Sequence, residues 1–253
     1  MIDHLPGWIL TLLISVALVS LERLFLKEKI HLTERDRLIL TVQFLSMPAS
    51  FLIAFFLLSP LVSFSSNFEV LSLSNLDIPR PLSMVLCFLV IDLLYYASHR
   101  IHHRFNLLWR LHRLHHSDRE VDVLTSYLHH PLEFLSGYVL LTFAYVLLDL
   151  PLVVVGFYGL AFSVHVAFTH TKIKLPTKID RWLSLLIVTP SMHRIHHLNR
   201  DRYTHSNFGQ IFSFWDRLIG TYQAKVAYQY FGVEKSKSPT FTSLKGLIAN
   251  PIK

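Results

Sequence analysis

LILTVQFLSMPASFLIAFFLLSPLVSFSSNF, residues 38–68, contains no Asp, Glu, Lys or Arg. A helix needs about 20 apolar residues to cross a bilayer, and this run is longer than that. Segments on its C-terminal side read the same way. Pro81–Ser98 carries Asp92 as its one charged residue, while Phe134–Leu148 and Leu150–Thr171 carry none. With 52% hydrophobic residues in a 253-residue chain, the pattern predicts a multi-pass integral membrane protein rather than a soluble helical one. On the N-terminal side, Gly7–Leu21 lacks a basic leader and runs into Leu21-Glu22-Arg23 without a small-residue cleavage site. It reads as a retained first span or membrane-embedded helix.

Spans are expected at about 7–26, 38–64 and 81–98. Two short arms, 134–148 and 150–169, turn near Asp149-Leu150-Pro151 and form either two tilted spans or a hairpin. Arg23, Lys27, Lys29, Arg35 and Arg37 crowd the link after the first span, whereas the next link, 62–80, holds only Arg80 as a base. The positive-inside rule puts 22–37 in the cytoplasm and 65–80 outside. Span 81–98 then returns to the cytoplasmic side, where Arg100, Arg104, Arg110, Arg113 and Arg119 follow it. Residues 171–253 stay on that side, with the apolar stretch Trp182–Val188 at the interface. The net charge of +7 is explained by this topology, because no basic stripe interleaved with aromatics suggests nucleic acid. Cys87 is the single cysteine, so neither a disulfide framework nor a thiolate metal site is available.

Three clusters share one spacing: His99-Arg-Ile-His102-His103, His112-Arg-Leu-His115-His116 and His193-Arg-Ile-His196-His197. They hold nine of the sixteen histidines, and on a helix residues three and four apart share a face. The topology puts all three on the cytoplasmic face. Neutral imidazole suits Zn, Cu and Fe alike. The ligand supply, with His129, His130, His165, His170 and His205 nearby, exceeds one tetrahedral zinc and fits two metal ions. No H-E-x-x-H protease signature occurs, and haem between spans would need histidines on facing helices rather than at helix ends.

Asp92-Leu-Leu-Tyr-Tyr-Ala-Ser-His99-Arg-Ile-His-His103 resembles the D-x-x-x-Y-x-x-H-R-x-x-H signature of the sterol desaturase / fatty acid hydroxylase superfamily. Leu108-Trp109-Arg110-Leu-His112-Arg-Leu-His115-His116-Ser117 looks like its L-W-R-x-H-x-x-H-H-S block, and His130-Pro131-Leu132-Glu133 like its H-P-L-E element. Thr189-Pro190-Ser-Met-His193-Arg-Ile-His196-His197, Asn207-Phe-Gly209 and Trp215-Asp216-Arg217-Leu-Ile-Gly220-Thr221 resemble its third box and closing element. The match covers about 92–222.

The resemblance implies an all-α, multi-pass membrane helical bundle with a cytoplasmic histidine-rich cap holding a dinuclear site of two Fe ions. By position the ligands are His99, His103, His112, His115, His116, His193, His196 and His197, with His130 and His170 to complete the shells. His102 is the odd member, because the family's first box is H-x-x-x-H. The sequence departs from the family at Leu128, where an Arg is usual, at His170-Thr-Lys, where His-x-Asn is usual, and at His205, where an acid is usual. Asp92, an ionisable residue inside a span, is either a group that orients a ligand imidazole or the partner of a polar neighbour on another helix. Glu133 has the same two readings, and Asn207 is a further orienting candidate.

The expected organisation is N-terminal spans over 1–80, a fatty acid hydroxylase/sterol desaturase-like catalytic domain over 81–222 and a tail over 223–253. The expected function is O2-dependent hydroxylation or desaturation of a lipid C–H bond. No G-x-G-x-x-G fingerprint, ferredoxin cysteines or H-P-G-G segment occurs. Electrons therefore come from a separate reductase or a cytochrome b5- or ferredoxin-like carrier, and Arg104, Arg113, Arg194, Arg200 and Arg202 could dock it. The host membrane is bacterial inner membrane or endoplasmic reticulum. The rival is a non-catalytic metal-binding or transport protein, which needs ligands along a path through the bilayer rather than at one face.

Overall fold

Thr33 and Asp36 open the long second helix with a reciprocal cap. The Asp36 carboxylate accepts the Thr33 N–H at 2.9 Å, and the Thr33 hydroxyl accepts the Asp36 N–H at 3.2 Å. In this computed structural model the described residues are 7–28, 31–65, 77–224, 226–227 and 230–233. Most of the 65–80 link and of the 223–253 tail thus lies outside the described residues.

The helices are α1 (Gly7–Phe25), α2 (Glu34–Ser65), α3 (Arg80–Arg104), α4 (Asn106–His116), α5 (Pro131–Leu148), α6 (Leu152–His170), α7 (Thr177–Leu183), α8 (Pro190–His196), α9 (Asp201–Thr204) and α10 (Phe214–Ile219). A 3-10 segment, Val123–Tyr127, sits between α4 and α5. Among the described residues there is no strand, only the isolated bridges Ile187–Phe212 and Leu198–Phe231. Prolines set the helix starts. Pro81, Pro131 and Pro190 occupy first-turn positions, where a missing N–H costs no helical bond.

Among the described residues, three helical segments are long and apolar enough to cross a membrane: Glu34–Pro60, Arg80–Arg104 and Leu152–His170. Pro131–Val146 is a shorter apolar helix. The expected turn at 149–151 is present, with Asp149 in the left-handed region at φ 46°. At 1.5 Å per residue the two arms, of 18 and 19 residues, are about 27 and 29 Å long, close to a bilayer core. Phe55, Phe56, Leu57, Val85, Leu152, Val153 and Phe157 project outward from these helices. Such a contiguous apolar exterior suits lipid and would be a liability in water. Trp182, Leu185 and Leu186, in the stretch expected at the interface, are also exposed.

α2 packs chiefly along α5, α3 against α4, α6 and α5, and α6 against the 3-10 segment and α8. One apolar cluster joins Val19, Ile39, Val42, Leu114, Leu124, Tyr127 and Ala167. A second joins Cys87, Ile91, Ala144, Leu150, Val154, Tyr158 and Ile211. Polar ties reinforce the first. Buried Glu22 accepts from the Val123 and Lys172 N–H groups and from the Thr171 hydroxyl. Arg35 binds Asp118 and Asp122 beyond α4. The N-terminal helices are thereby fastened to the segments that carry the histidines.

Candidate metal centre

Four helix ends converge. α3 delivers His99, His102 and His103 in its last two turns, α4 delivers His112, His115 and His116, α6 ends at His170, and α8 with its C-cap carries His193, His196 and His197. Ring nitrogens of His99, His103, His112, His116 and His196 lie within 4.8 Å of one another, and so do those of His115, His170, His193 and His197. Each box divides by helical geometry. Outer histidines, four apart, share a centre (His99/His103, His112/His116, His193/His197), and the middle one points elsewhere. The middle residues His115 and His196 serve the opposite group. His102 serves neither: its Nδ1 donates to the Ser98 carbonyl at 2.8 Å and its Nε2 lies 3.1 Å from the Ser136 hydroxyl.

The hydrogen-bond partners of the outer ring nitrogens suit these clusters to a cation. His115 Nδ1 lies 3.0 Å from the Thr125 carbonyl and His170 Nδ1 lies 2.7 Å from the Val166 carbonyl. A carbonyl only accepts, so both Nδ1 atoms carry the proton and both Nε2 atoms are bare lone pairs. Those two Nε2 atoms are 3.1 Å apart, with no proton to place between them. The first group repeats this. His196 Nδ1 donates to the Ser206 carbonyl at 2.7 Å and His112 Nδ1 to the Glu133 carboxylate at 2.6 Å, while His99 Nδ1, which also has the Gln210 amide nitrogen at 2.9 Å, lies 3.0 Å from the Phe208 carbonyl. His99 Nε2 lies 3.1 Å from that of His112 and 3.0 Å from that of His196. Neighbouring ligands of an ion with bonds of about 2.1 Å are separated by about 3.0–3.4 Å in octahedral or tetrahedral geometry. Both nitrogens of buried His103 also lack any hydrogen-bond partner.

Protonation does not resolve the repulsion. Burial first, and mutual repulsion among the imidazoles second, hold His116, His193 and His197 well below the ordinary histidine range. Burial also lowers His112, against an opposing pull from Glu133. Neutral, inward-facing imidazoles are the form that binds a metal ion.

Of the ten histidines expected as ligands, nine lie in these two groups and His130 stands apart. It is the N-cap of α5, and its Nδ1 accepts the Leu132 N–H at 3.2 Å. His129 stacks on His115 at 4.4 Å and bonds Glu133, while His205 is exposed beside His103 and Trp109. His165 lies against Phe168. Glu133 touches His112 and orients it. Asp92 touches no histidine of either group; it accepts from Tyr158, the Ile211 and Phe212 N–H groups and Trp215 Nε1, at 2.9–3.2 Å. Of its two readings, the partner on another element is the one the contacts support.

Asn207 sits between the two carbonyls that orient His196 and His99. It adopts φ 54°, tolerable for Asn, and its amide clasps the carbonyls of Met192 and Gln223. Asp216, an orienting residue that sequence reasoning missed, accepts the Phe208 and Gly209 N–H groups at 2.7 and 2.8 Å. The Trp215-Asp216 pair was its available signal; the Ser206 and Phe208 carbonyls carried none, because every residue has one. A Cβ on Gly209 would lie 2.8 Å from the Phe212 carbonyl oxygen and 2.9 Å from Asp216 and Val188. Gly209→Ala should therefore cost about 1–3 kcal/mol, seen as a lowered thermal midpoint; an unchanged midpoint would contradict this packing.

Beneath the histidines lies a cavity of about 670 Å³, lined at one end by His99, His112, His115, His170 and His193. At the other end its walls include Phe51, Leu141, Gly156 and Leu160.

The fold and site thus define a membrane-embedded helical protein with two clustered sets of imidazoles able to hold metal. The profile of the family described as "Fatty acid hydroxylase" matches residues 84–221, and the chain belongs to this family. Alkylglycerol monooxygenase of Homo sapiens is 30% identical over 187 residues, covering 69% of this chain and 39% of that protein. Ornithine lipid hydroxylase OlsE of Rhizobium tropici is 30% identical over 144 residues, covering 57% of this chain and 43% of that protein. The matches thus span less than half the length of either relative. No solved structure matches the chain.

Proposed function

We propose that the protein is a membrane-bound, O2-dependent di-iron oxidoreductase that hydroxylates a C–H bond of a lipid. The observation that carries this reading is the pair of lone-pair clusters, five and four imidazoles strong, opening into an apolar cavity. The relatives' names, a monooxygenase of alkylglycerols and a hydroxylase of ornithine lipids, favour hydroxylation over desaturation and a linear lipid over a sterol. In this reading His99, His103, His112, His116 and His196 hold one iron and His115, His170, His193 and His197 the other. Iron held there supplies O2 reduction and hydrogen removal from an unactivated C–H bond.

The chain's own residues do the rest. The Glu133 carboxylate and the Thr125, Val166 and Ser206 carbonyls each hold one Nδ1–H, which fixes the tautomer and aims Nε2 inward. Trp109, with its ring 4.9 Å from His103 and 5.4 Å from His116, covers the first group. The apolar walls of the cavity, Phe51, Leu141 and Leu160 among them, suit an alkyl chain. We further propose that residues 81–222 form the catalytic unit and that the site faces the cytoplasm, of a bacterial inner membrane or of the endoplasmic reticulum. There a separate carrier, reductase or cytochrome b5- or ferredoxin-like, supplies electrons; the basic residues after span 81–98 support that orientation.

The test is metal analysis after anaerobic iron loading, followed by mass spectrometry of lipids exposed to isotopically labelled O2. About two irons per chain and one labelled oxygen atom in the product are expected. Fewer than about one iron per chain, where the two clusters call for two, would overturn the proposal.

A further inference from the structure

One face of α6, Gly156, Gly159, Ser163, Val166 and His170, lines the cavity from its apolar end to the imidazoles. At 1.5 Å per residue that face is about 21 Å long, the reach of an extended long alkyl chain. A Cβ built on Gly156 or on Gly159 would meet no atom within 4 Å, so both positions leave room. A second observation comes from α2, outside the segment matched by the family. Gln43 lines the same cavity and is only 3% exposed, yet its Oε1 accepts no hydrogen bond. Its amide nitrogen donates only to the Met47 sulfur, a weak acceptor, at 2.7 Å. An amide oxygen left unsatisfied inside a membrane span is costly. A ligand that donates to it would remove that cost. Val42, beside it, belongs to the apolar cluster of Leu124 and Tyr127. Gln43 is thus level with the 3-10 segment whose Thr125 carbonyl orients His115.

We infer that the cavity seats one linear lipid chain with its tail along Gly156 and Gly159. Its polar head donates a hydroxyl or N–H to Gln43 Oε1. The two glycines set the accepted chain length, and Gln43 selects a hydrogen-bond-donating head. The C–H presented to the imidazoles then lies at the head end of the chain. This rests on the lipid-oxidation reading, but its test does not require turnover.

Metal-free full-length protein in nanodiscs is titrated with hexadecylglycerol and decylglycerol carrying a photoreactive group on the terminal carbon. Burying a methylene is worth about fourfold in affinity. Gly156→Leu and, separately, Gly159→Leu, each displacing about three methylenes, should weaken the hexadecyl probe about fiftyfold and leave the decyl probe within about twofold. Gln43→Leu should weaken hexadecylglycerol about fivefold and leave its di-O-methyl analogue unchanged. In the unaltered chain, terminal-carbon labelling should fall near Gly156, Leu141 or Phe51. Losses equal for both chain lengths, or equal for both heads, would overturn the inference, as would terminal-carbon labelling at His129 or Glu133. If chain-length discrimination appears but iron-loaded protein oxidises no lipid, the function proposal fails and the cavity assignment stands. If lipid is oxidised but both leucine variants ignore chain length, the reverse holds.

Discussion

Replacing His170 by alanine is expected to lower bound iron from about two per chain toward one and to abolish lipid oxidation. His170 Nε2 lies 3.1 Å from the Nε2 atoms of His115, His193 and His197, so it is the common neighbour of its group. Without it three imidazoles remain, and the Val166 carbonyl that oriented it has nothing to orient. Alanine continues a helix well, and His170 is the last residue of α6, so the span itself should persist. The loss should exceed the roughly 10–100-fold that removal of an outer hydrogen-bond partner costs. His130→Ala and His102→Ala are the internal controls. The first removes an N-cap worth about 1 kcal/mol and the second two outward hydrogen bonds, and both should keep both metals. Full iron content in His170→Ala, measured by elemental analysis, would refute the ligand assignment.

Asp92→Ala should be among the most damaging single changes to stability. It strands four donors at once: the Tyr158 hydroxyl, the Ile211 and Phe212 N–H groups and the Trp215 indole N–H. Each buried donor left unsatisfied costs about 1–3 kcal/mol, so a loss of at least about 3 kcal/mol is expected even after partial relaxation. Asp92→Asn keeps one acceptor oxygen and should lose less. The damage should spread to the metal centre, because Ile211 and Phe212 follow the 206–209 turn whose carbonyls orient His196 and His99. Thermal unfolding in detergent measures the first effect and metal retention the second. A stability within about 0.5 kcal/mol of the unaltered chain would show that Asp92 is not the joint described here.

The reading of Asp92 shows where sequence stops. From the chain alone Asp92 was either a group that orients a ligand imidazole or the partner of a polar neighbour on another helix. Only the packing of α3 against α6 and the Ile211–Trp215 segment reveals that its four partners lie elsewhere. Glu133, equally ambiguous in sequence, reaches His112 because α5 starts beside α4. His130 and His170 were equivalent candidates from the chain alone. α6 ends inside the cluster, whereas His130 turns to cap its own helix, a local competition that spacing does not express. Gln43 had no motif to mark it. Its unpartnered oxygen becomes visible only when α2 is placed against the cavity wall.

By itself the sequence determined the apolar helices over 34–60, 80–104 and 152–170, the turn at 149–151 and the histidines that travel together. Charge-free runs and three- and four-residue spacings are local properties of the chain. Only the tertiary structure decided how the nine imidazoles divide into a five and a four, and which carbonyl holds each tautomer. Only it revealed the cavity that leads to them. The ends of α3, α4, α6 and α8 are brought together by long-range packing, and nitrogens 3 Å apart can come from residues 97 positions apart, as in His99 and His196.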